Sequence, residues 1–113
     1  MRRVTYSMGA SLDGFTMDRD GRFDWSAPDE EVFRFATDQI REAGAHLLGR
    51  RLYETMLFWE TAEEHPGISE AEVEFARLWR ALPKVVLSRT LATVEGSNTR
   101  LATGTLAEEI AAL

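Results

Sequence analysis

Two short apolar segments, residues 45–48 and 84–87, constrain the fold of this chain more than any other feature. The first ends at Gly49 and is too short for a helix, so it predicts a strand buried on both faces. The second follows Pro83 and predicts another strand. Between the two segments, apolar residues recur at helical spacing. This pattern predicts that helical crossovers join the two strands.

The N-terminal segment has the two-residue period of a strand. Val4, Tyr6 and Met8 alternate with polar or small residues until Asp13-Gly14, which predicts a first strand here. Residues 16–26 combine a polar turn with aromatic residues. They predict a long loop that folds back on the body of the protein, and long loops of this kind are often functional.

The next segment predicts a helix over residues 28–42. Ser26 can cap it, with Pro28 in its first turn and acidic residues near its positive end. Its apolar side chains recur at helical spacing and predict a buried face. This face consists of Val32, Phe35, Ala36, Gln39 and Ile40, with Phe33 beside it.

Two capping boxes, in which a Ser or Thr is followed three residues later by Glu, predict helices further along the chain. Residues 50–58 have helical spacing, and the Ser69-Glu72 box then begins a helix that Pro83 ends. A fourth strand is predicted at 99–102. The Thr105-Glu108 box begins the last helix. The boxes mark where these helices begin, and the breaks at Pro66-Gly67 and Gly96 separate neighbouring elements.

The order strand, helix, strand, helices, strand, strand, helix predicts an α/β protein with right-handed crossovers. A length of 113 residues is room for one domain, 1–113. The last predicted helix has barely reached two turns when the sequence ends. We therefore expect a C-terminal part of the domain to be missing.

Composition excludes several function classes. The chain has no Cys, which excludes disulfides, Cys-ligated metal and thiol catalysis. With two His as well, we expect no metal site. A net charge of −6 argues against nucleic-acid and anionic-membrane partners, which need a broad positive field. No signal peptide or membrane helix is predicted, and cytoplasmic residence is the default.

Basic residues follow two of the predicted strands. Gly49-Arg50-Arg51 stands where a strand gives way to a helix, and Ser88-Arg89-Thr90 follows the next strand. Ligands of open α/β sheets bind outside the carboxyl ends of strands, so these two basic corners suit a dinucleotide. Arg at a strand end favours a 2′-phosphate, which predicts NADPH over NADH. The alternative is that these arginines are surface charges that balance 19 acidic residues.

Three segments together resemble the dihydrofolate reductase-like superfamily. They are residues 11–15, 48–55 and 82–90, and the nearer branch is the reductase domain of riboflavin-biosynthesis deaminase-reductases. The resemblance runs from about residue 3 to the end and implies a three-layer sandwich with a mixed, mostly parallel sheet. It covers the N-terminal part of that domain, so a C-terminally truncated domain is expected.

The resemblance also implies roles for particular residues. The turn at Gly49 would bind the cofactor phosphates and the end of the following strand would lie beside the 2′-phosphate, whereas Leu52 stands where classical relatives have a phosphate-binding Thr. Met8 and Gly9 would line the nicotinamide. The implied cofactor-binding residues are Met8, Gly9, Gly49, Arg50, Arg51, Leu87, Ser88 and Arg89.

The implied catalytic residue is Glu30. The segment 25–30 resembles the Trp-x-x-Pro-x-Asp segment that opens the substrate helix of dihydrofolate reductases. A carboxylate there could hydrogen-bond an amino-pyrimidine edge and assist protonation. The alternative is that Glu30 and its acidic neighbours complement the helix dipole.

Together with the basic corners, the resemblance implies an NADPH-dependent reductase that acts on a pyrimidine- or pteridine-like heterocycle, and we expect a cytoplasmic homodimer. A second hypothesis is a shortened, non-catalytic nucleotide-binding or assembly module that another chain completes. A third is an acidic interaction domain without a ligand. The family continues with a Gly-Gly segment on a central strand, which contacts the cofactor pyrophosphate and does not appear in this sequence. Its absence argues against the enzyme, and we expect a second copy or a separate chain to complete the sheet, unless the sequence is part of a longer domain.

Overall fold

The computed structural model describes residues 3–22 and 27–113. They belong to two compact units, one that ends at Phe33 and one that spans Arg34–Leu113. Each unit is described here by itself. None of the helices in the described ranges has the length and apolar character needed to span a bilayer.

The first unit does not contain the strand predicted for residues 4–8. Residues 3–11 have no regular secondary structure, and Val4, Tyr6 and Met8 are 59%, 87% and 60% exposed. An isolated strand leaves its backbone N–H and C=O groups unpaired, so alternation alone cannot form one without a neighbour. The prediction of a first strand is therefore wrong for the described structure.

Two tight turns follow this extended segment. The Ser11 N–H donates to the Phe15 carbonyl over 2.8 Å, and Gly14 adopts φ +93° between them. The Asp18 carboxylate accepts from the backbone N–H of Asp20 and Arg22, at 2.9 and 2.8 Å. The second turn confirms the predicted polar turn within residues 16–26. Residues 23–26 of the predicted loop lie outside the described residues.

Helix α1, Glu30–Glu42, begins two residues later than predicted. Asp29 caps it, since its carboxylate accepts from the Val32 N–H over 2.8 Å; Ser26 lies outside the described residues. The predicted buried face is also wrong in part. Thr37 is the buried residue, while Val32 and Phe35 are 54% and 64% exposed.

The sheet of the second unit contains three parallel strands in the order β1-β2-β3. They are β1, His46–Gly49; β2, Lys84–Leu87; and β3, Thr99–Leu101. Strand β2 lies in the centre, and its first three residues are buried, as expected for a strand covered on both faces. All three strands agree with the sequence prediction to within one residue.

Helices connect the strands much as predicted. Helix α2, Arg50–Met56, follows β1 directly and passes into 3-10 turns over Leu57–Glu60 and Ala62–Glu64, so it ends two residues earlier than expected. Helix α3, Glu70–Ala81, and helix α4, Leu106–Ala112, complete the unit. Both predicted capping boxes are present with both of their hydrogen bonds.

The core of this unit lies around Trp79 on α3. Its ring is 2% exposed and contacts Phe75 and His46.

Lys84 is also buried: its ammonium donates to the carbonyls of Trp79 and Leu82 at the end of α3. Burial lowers the pKa of Lys84, and the charge of Glu60 partly opposes this. The buried cation thus binds the negative end of α3.

Replacement of Ser69 tests the capping box of α3. Ser69→Ala leaves the Glu72 N–H without the Ser69 Oγ that now accepts from it over 3.1 Å. We expect a loss of about 1 kcal/mol in the free energy of unfolding, measured in urea. Ser69→Asp keeps an acceptor and should remain close to wild type, so equal losses in the two variants would contradict the assignment.

His46 should make stability depend on pH. Burial and then the charge of Lys84 lower the pKa of His46 below 6.5, so the unfolded chain binds a proton at this residue more readily than the native protein. The free energy of unfolding should fall as pH decreases from 6.5 to the native pKa.

His46→Gln should remove this dependence, which urea unfolding above and below pH 6.5 measures. His65→Gln, which makes the same substitution at the chain's other histidine, is the control. An unchanged profile in His46→Gln would contradict the role of His46.

Candidate cofactor-binding site

The register of the sheet places the carboxyl ends of its strands side by side. Gly49 of β1 is the partner of Leu87 of β2, and Val86 is the partner of Leu101 of β3. Since adjacent strands lie about 4.8 Å apart, the turns that follow them begin next to one another. The two predicted basic corners therefore lie at one edge of the sheet.

A hydrogen bond joins these two corners. Arg50 Nη1 donates to Thr90 Oγ1 over 2.7 Å, and Arg50 Nε lies 3.3 Å from the Glu54 carboxylate one turn along α2. Gly49 has φ −84°, and an added Cβ would meet nothing within 4 Å. The space in front of this turn is open.

Ser88 organises the turn after β2. Its Oγ accepts from the backbone N–H of Thr90 and Leu91, both at 3.2 Å. Leu87 and Ser88 are half-buried, while Arg89 and Thr90 are exposed. The turn thus presents the Arg89 side chain to solvent beside the Arg50 corner.

Arg51 and Arg89 carry the free charge of this edge. Both are exposed, and neither guanidinium has a hydrogen-bond or ion-pair partner within residues 3–22 and 27–113. Unpaired guanidinium groups beside open space fit a phosphate group, which they bind by charge-assisted hydrogen bonds. The residues present therefore suit the phosphates of a dinucleotide.

The turn after β3 lies at the same edge and was missed by sequence reasoning. Glu109 of α4 is 4% exposed; its Oε1 accepts from the N–H groups of Thr103 and Gly104, at 3.1 and 3.2 Å. Its Oε2 lies 2.7 Å from Arg100 Nη2. The Arg100 hydrogen bond is the main reason why the pKa of Glu109 is lowered. The position of this turn after a strand was the signal available in the sequence.

An open cavity of about 410 Å³ lies at the turn that leads into β3, lined by Leu57, Glu60, Thr61, Glu95, Gly96 and Ser97. It contains none of the predicted cofactor-binding residues. Glu60 accepts from Ser97 N and Oγ, both at 2.9 Å, so its carboxylate holds the turn in place. Two carboxylates in the lining make this cavity unsuitable for phosphate.

The remaining predicted site residues belong to the first unit. Met8 and Gly9 lie in its extended segment, where Met8 Sδ accepts from the Tyr6 hydroxyl at 3.9 Å and Gly9 faces open space. Glu30 is exposed in the first turn of α1. Trp25, which begins the motif that suggested Glu30, lies outside the described residues.

The geometry defines an α/β protein whose parallel sheet carries basic residues after the carboxyl ends of β1 and β2. The sequence matches the model of the RibD C-terminal domain family over residues 2–111. The chain belongs to this family, which confirms the resemblance to riboflavin-biosynthesis deaminase-reductases. No curated protein and no solved structure matches the chain significantly. Family membership supports a reductase of the riboflavin-biosynthesis type that uses a nicotinamide cofactor.

Replacement of Glu109 tests the turn after β3. Glu109→Gln loses the charge that binds Arg100, so the variant should be less stable than wild type at neutral pH. Because the native pKa lies below 4.5, the stabilisation is present above pH 4.5 and is lost as pH falls through the native value.

The free energies of unfolding of the wild type and of Glu109→Gln should therefore become equal in strong acid. Urea unfolding as a function of pH measures them. Glu42→Gln, at the exposed end of α1, is the control. A Glu109→Gln variant as stable as wild type at neutral pH would show that this carboxylate does not hold the turn.

Proposed function

We propose that this chain is an NADPH-dependent reductase of the dihydrofolate reductase and riboflavin-biosynthesis reductase type, which transfers hydride to a pyrimidine- or pteridine-like substrate. The observation that carries the proposal is that Arg50, Arg51 and Arg89 follow two neighbouring strands at the carboxyl edge of a parallel sheet. In a chain of net charge −6, a local basic edge supplies the field that an anionic cofactor needs.

The adenosine half of the cofactor would bind at the end of β2. In this proposal Arg89 binds the 2′-phosphate, and the half-buried Leu87 and Ser88 border the same position. Gly49 and the two arginines after it hold the remaining phosphates. The open space beside Gly49 supports this arrangement, since a phosphate can approach the backbone there.

The hydride side of the proposal rests on the resemblance to the family. Met8 and Gly9 would line the nicotinamide, which when bound supplies the hydride. Glu30 would accept a hydrogen bond from an amino-pyrimidine edge and hold the proton that the reduced heterocycle takes up. Its exposed position on α1 is compatible with contact to a ligand.

A second candidate is a nucleotide-binding or assembly module without turnover. It is favoured by the exposed side chains of Val4, Tyr6 and Met8, because a nicotinamide pocket requires walls that exclude water. Another chain would supply these walls. As part of the first proposal, we place the protein in the cytoplasm as a homodimer, in which a second copy covers such exposed apolar side chains.

Thermal stabilisation by NADPH and NADH tests the proposal. An intact site should stabilise the protein by about 2.7 kcal/mol at a hundredfold excess over Kd. Arg89→Glu should weaken NADPH binding at least about tenfold, since a hydrogen bond to a charged group is lost and a repulsive charge is added. NADH binding should change much less.

Arg77→Glu on α3 is the matched control, because it makes the same charge change at another exposed arginine. Equal thermal stabilisation by both nucleotides would remove Arg89 from the proposal. No stabilisation by either nucleotide would refute NADPH binding. Binding without oxidation of NADPH in the presence of pyrimidine or pteridine substrates would favour the second candidate.

A further inference from the structure

Arg50 is held differently from the other two arginines of the site. Its Nε pairs with Glu54 on the same helix at 3.3 Å, and both side chains are about half exposed, at 48% and 53%. An exposed pair of this kind contributes little and does not fix a long side chain. The 2.7 Å bond from Nη1 to Thr90 comes instead from the neighbouring strand end, so it gives the guanidinium a second contact outside its own helix.

Thr90 is itself held in place by Ser88. The Thr90 N–H donates to Ser88 Oγ over 3.2 Å, and the two hydroxyl oxygens are 3.3 Å apart. The β-branched side chain of Thr also restricts χ1. A hydroxyl can donate one hydrogen bond while it accepts others, so Thr90 Oγ1 can bind Ser88 and Arg50 together.

The bond to Thr90 leaves part of the guanidinium available. Among the residues that the structure describes, Nη2 of Arg50 has no partner, and Nη1 keeps a second N–H. A phosphate could therefore bind Arg50 without displacing Thr90. A side chain that is ordered before a ligand arrives loses less conformational entropy when the ligand binds.

We propose that Thr90 is a positioning residue, which holds Arg50 across the gap between β1 and β2 and presents its guanidinium to the phosphate-binding site. This inference rests on the proposed function. Because Thr90 follows Arg89 directly, the bond draws Arg50 towards the corner proposed for the 2′-phosphate. Thr90 therefore contributes to the preference for NADPH over NADH without touching the cofactor.

A double-mutant cycle between Thr90 and Arg50 tests this role. Thr90→Val removes the hydroxyl and keeps the shape of the side chain. We expect it to weaken NADPH binding about 3- to 10-fold, as the lost order of one long side chain implies, and to affect NADH less. In an Arg50→Ala background the same substitution should change the Kd of NADPH less than about twofold, since Thr90 acts through Arg50.

Two further variants serve as controls. Thr90→Ser keeps the hydroxyl and should restore NADPH binding to near the wild-type Kd. Thr93→Val makes the same change at another exposed threonine of the same loop and should leave the Kd unchanged. Thr90→Ala should reproduce the effect of Thr90→Val if the latter folds poorly.

The outcomes separate this inference from the proposed function. Equal losses from Thr90→Val in the wild-type and Arg50→Ala backgrounds, or no recovery in Thr90→Ser, would overturn the positioning role while NADPH binding stands. A wild-type protein that binds neither nucleotide would refute the proposed function, and the inference with it.

Discussion

The pairing of β2 with a parallel strand on each side is the constraint on which the rest of the structure depends. Val85 and Val86 are 2% and 0% exposed, so burial fixes this strand in the centre, and its hydrogen bonds set the register of β1 and β3. The turns after the three strands consequently meet at one edge. Backbone pairing, and not attraction between side chains, assembles the basic site, because arginines repel one another.

Charged side chains are paired at the amino edge of the sheet and only partly paired at its carboxyl edge. At the amino edge, Lys84 binds the carbonyls at the end of α3, and Glu60 binds the turn at Ser97. These charges have structural partners and are satisfied. At the carboxyl edge, Arg51 and Arg89 have none among the described residues. A chain of net charge −6 can therefore still present unpaired basic groups at one edge of its sheet.

Local sequence patterns predicted most of the second unit, and they failed where a residue's surroundings decide its state. The capping boxes at Ser69 and Thr105 and the strand at 84–87 depend on neighbours within a few residues, so the sequence showed them. The strand at 4–8 required a partner strand, and the buried face of α1 depended on what packs against it. Nothing local in the sequence singled out Glu109, because only the tertiary structure places Arg100 and the turn at 103–104 around it.

The candidate site also combines features that the sequence determined with features that only the tertiary structure decided. The sequence by itself determined that Gly49-Arg50-Arg51 and Ser88-Arg89-Thr90 stand at the ends of two strands, and hence that basic groups are found there. Only the tertiary structure decided that Gly49 is paired with Leu87 and that Arg50 reaches Thr90, 40 residues away in the chain. The physical reason is that propensity and capping act between close neighbours in sequence, whereas strand register and side-chain contacts across a sheet depend on how the whole core packs.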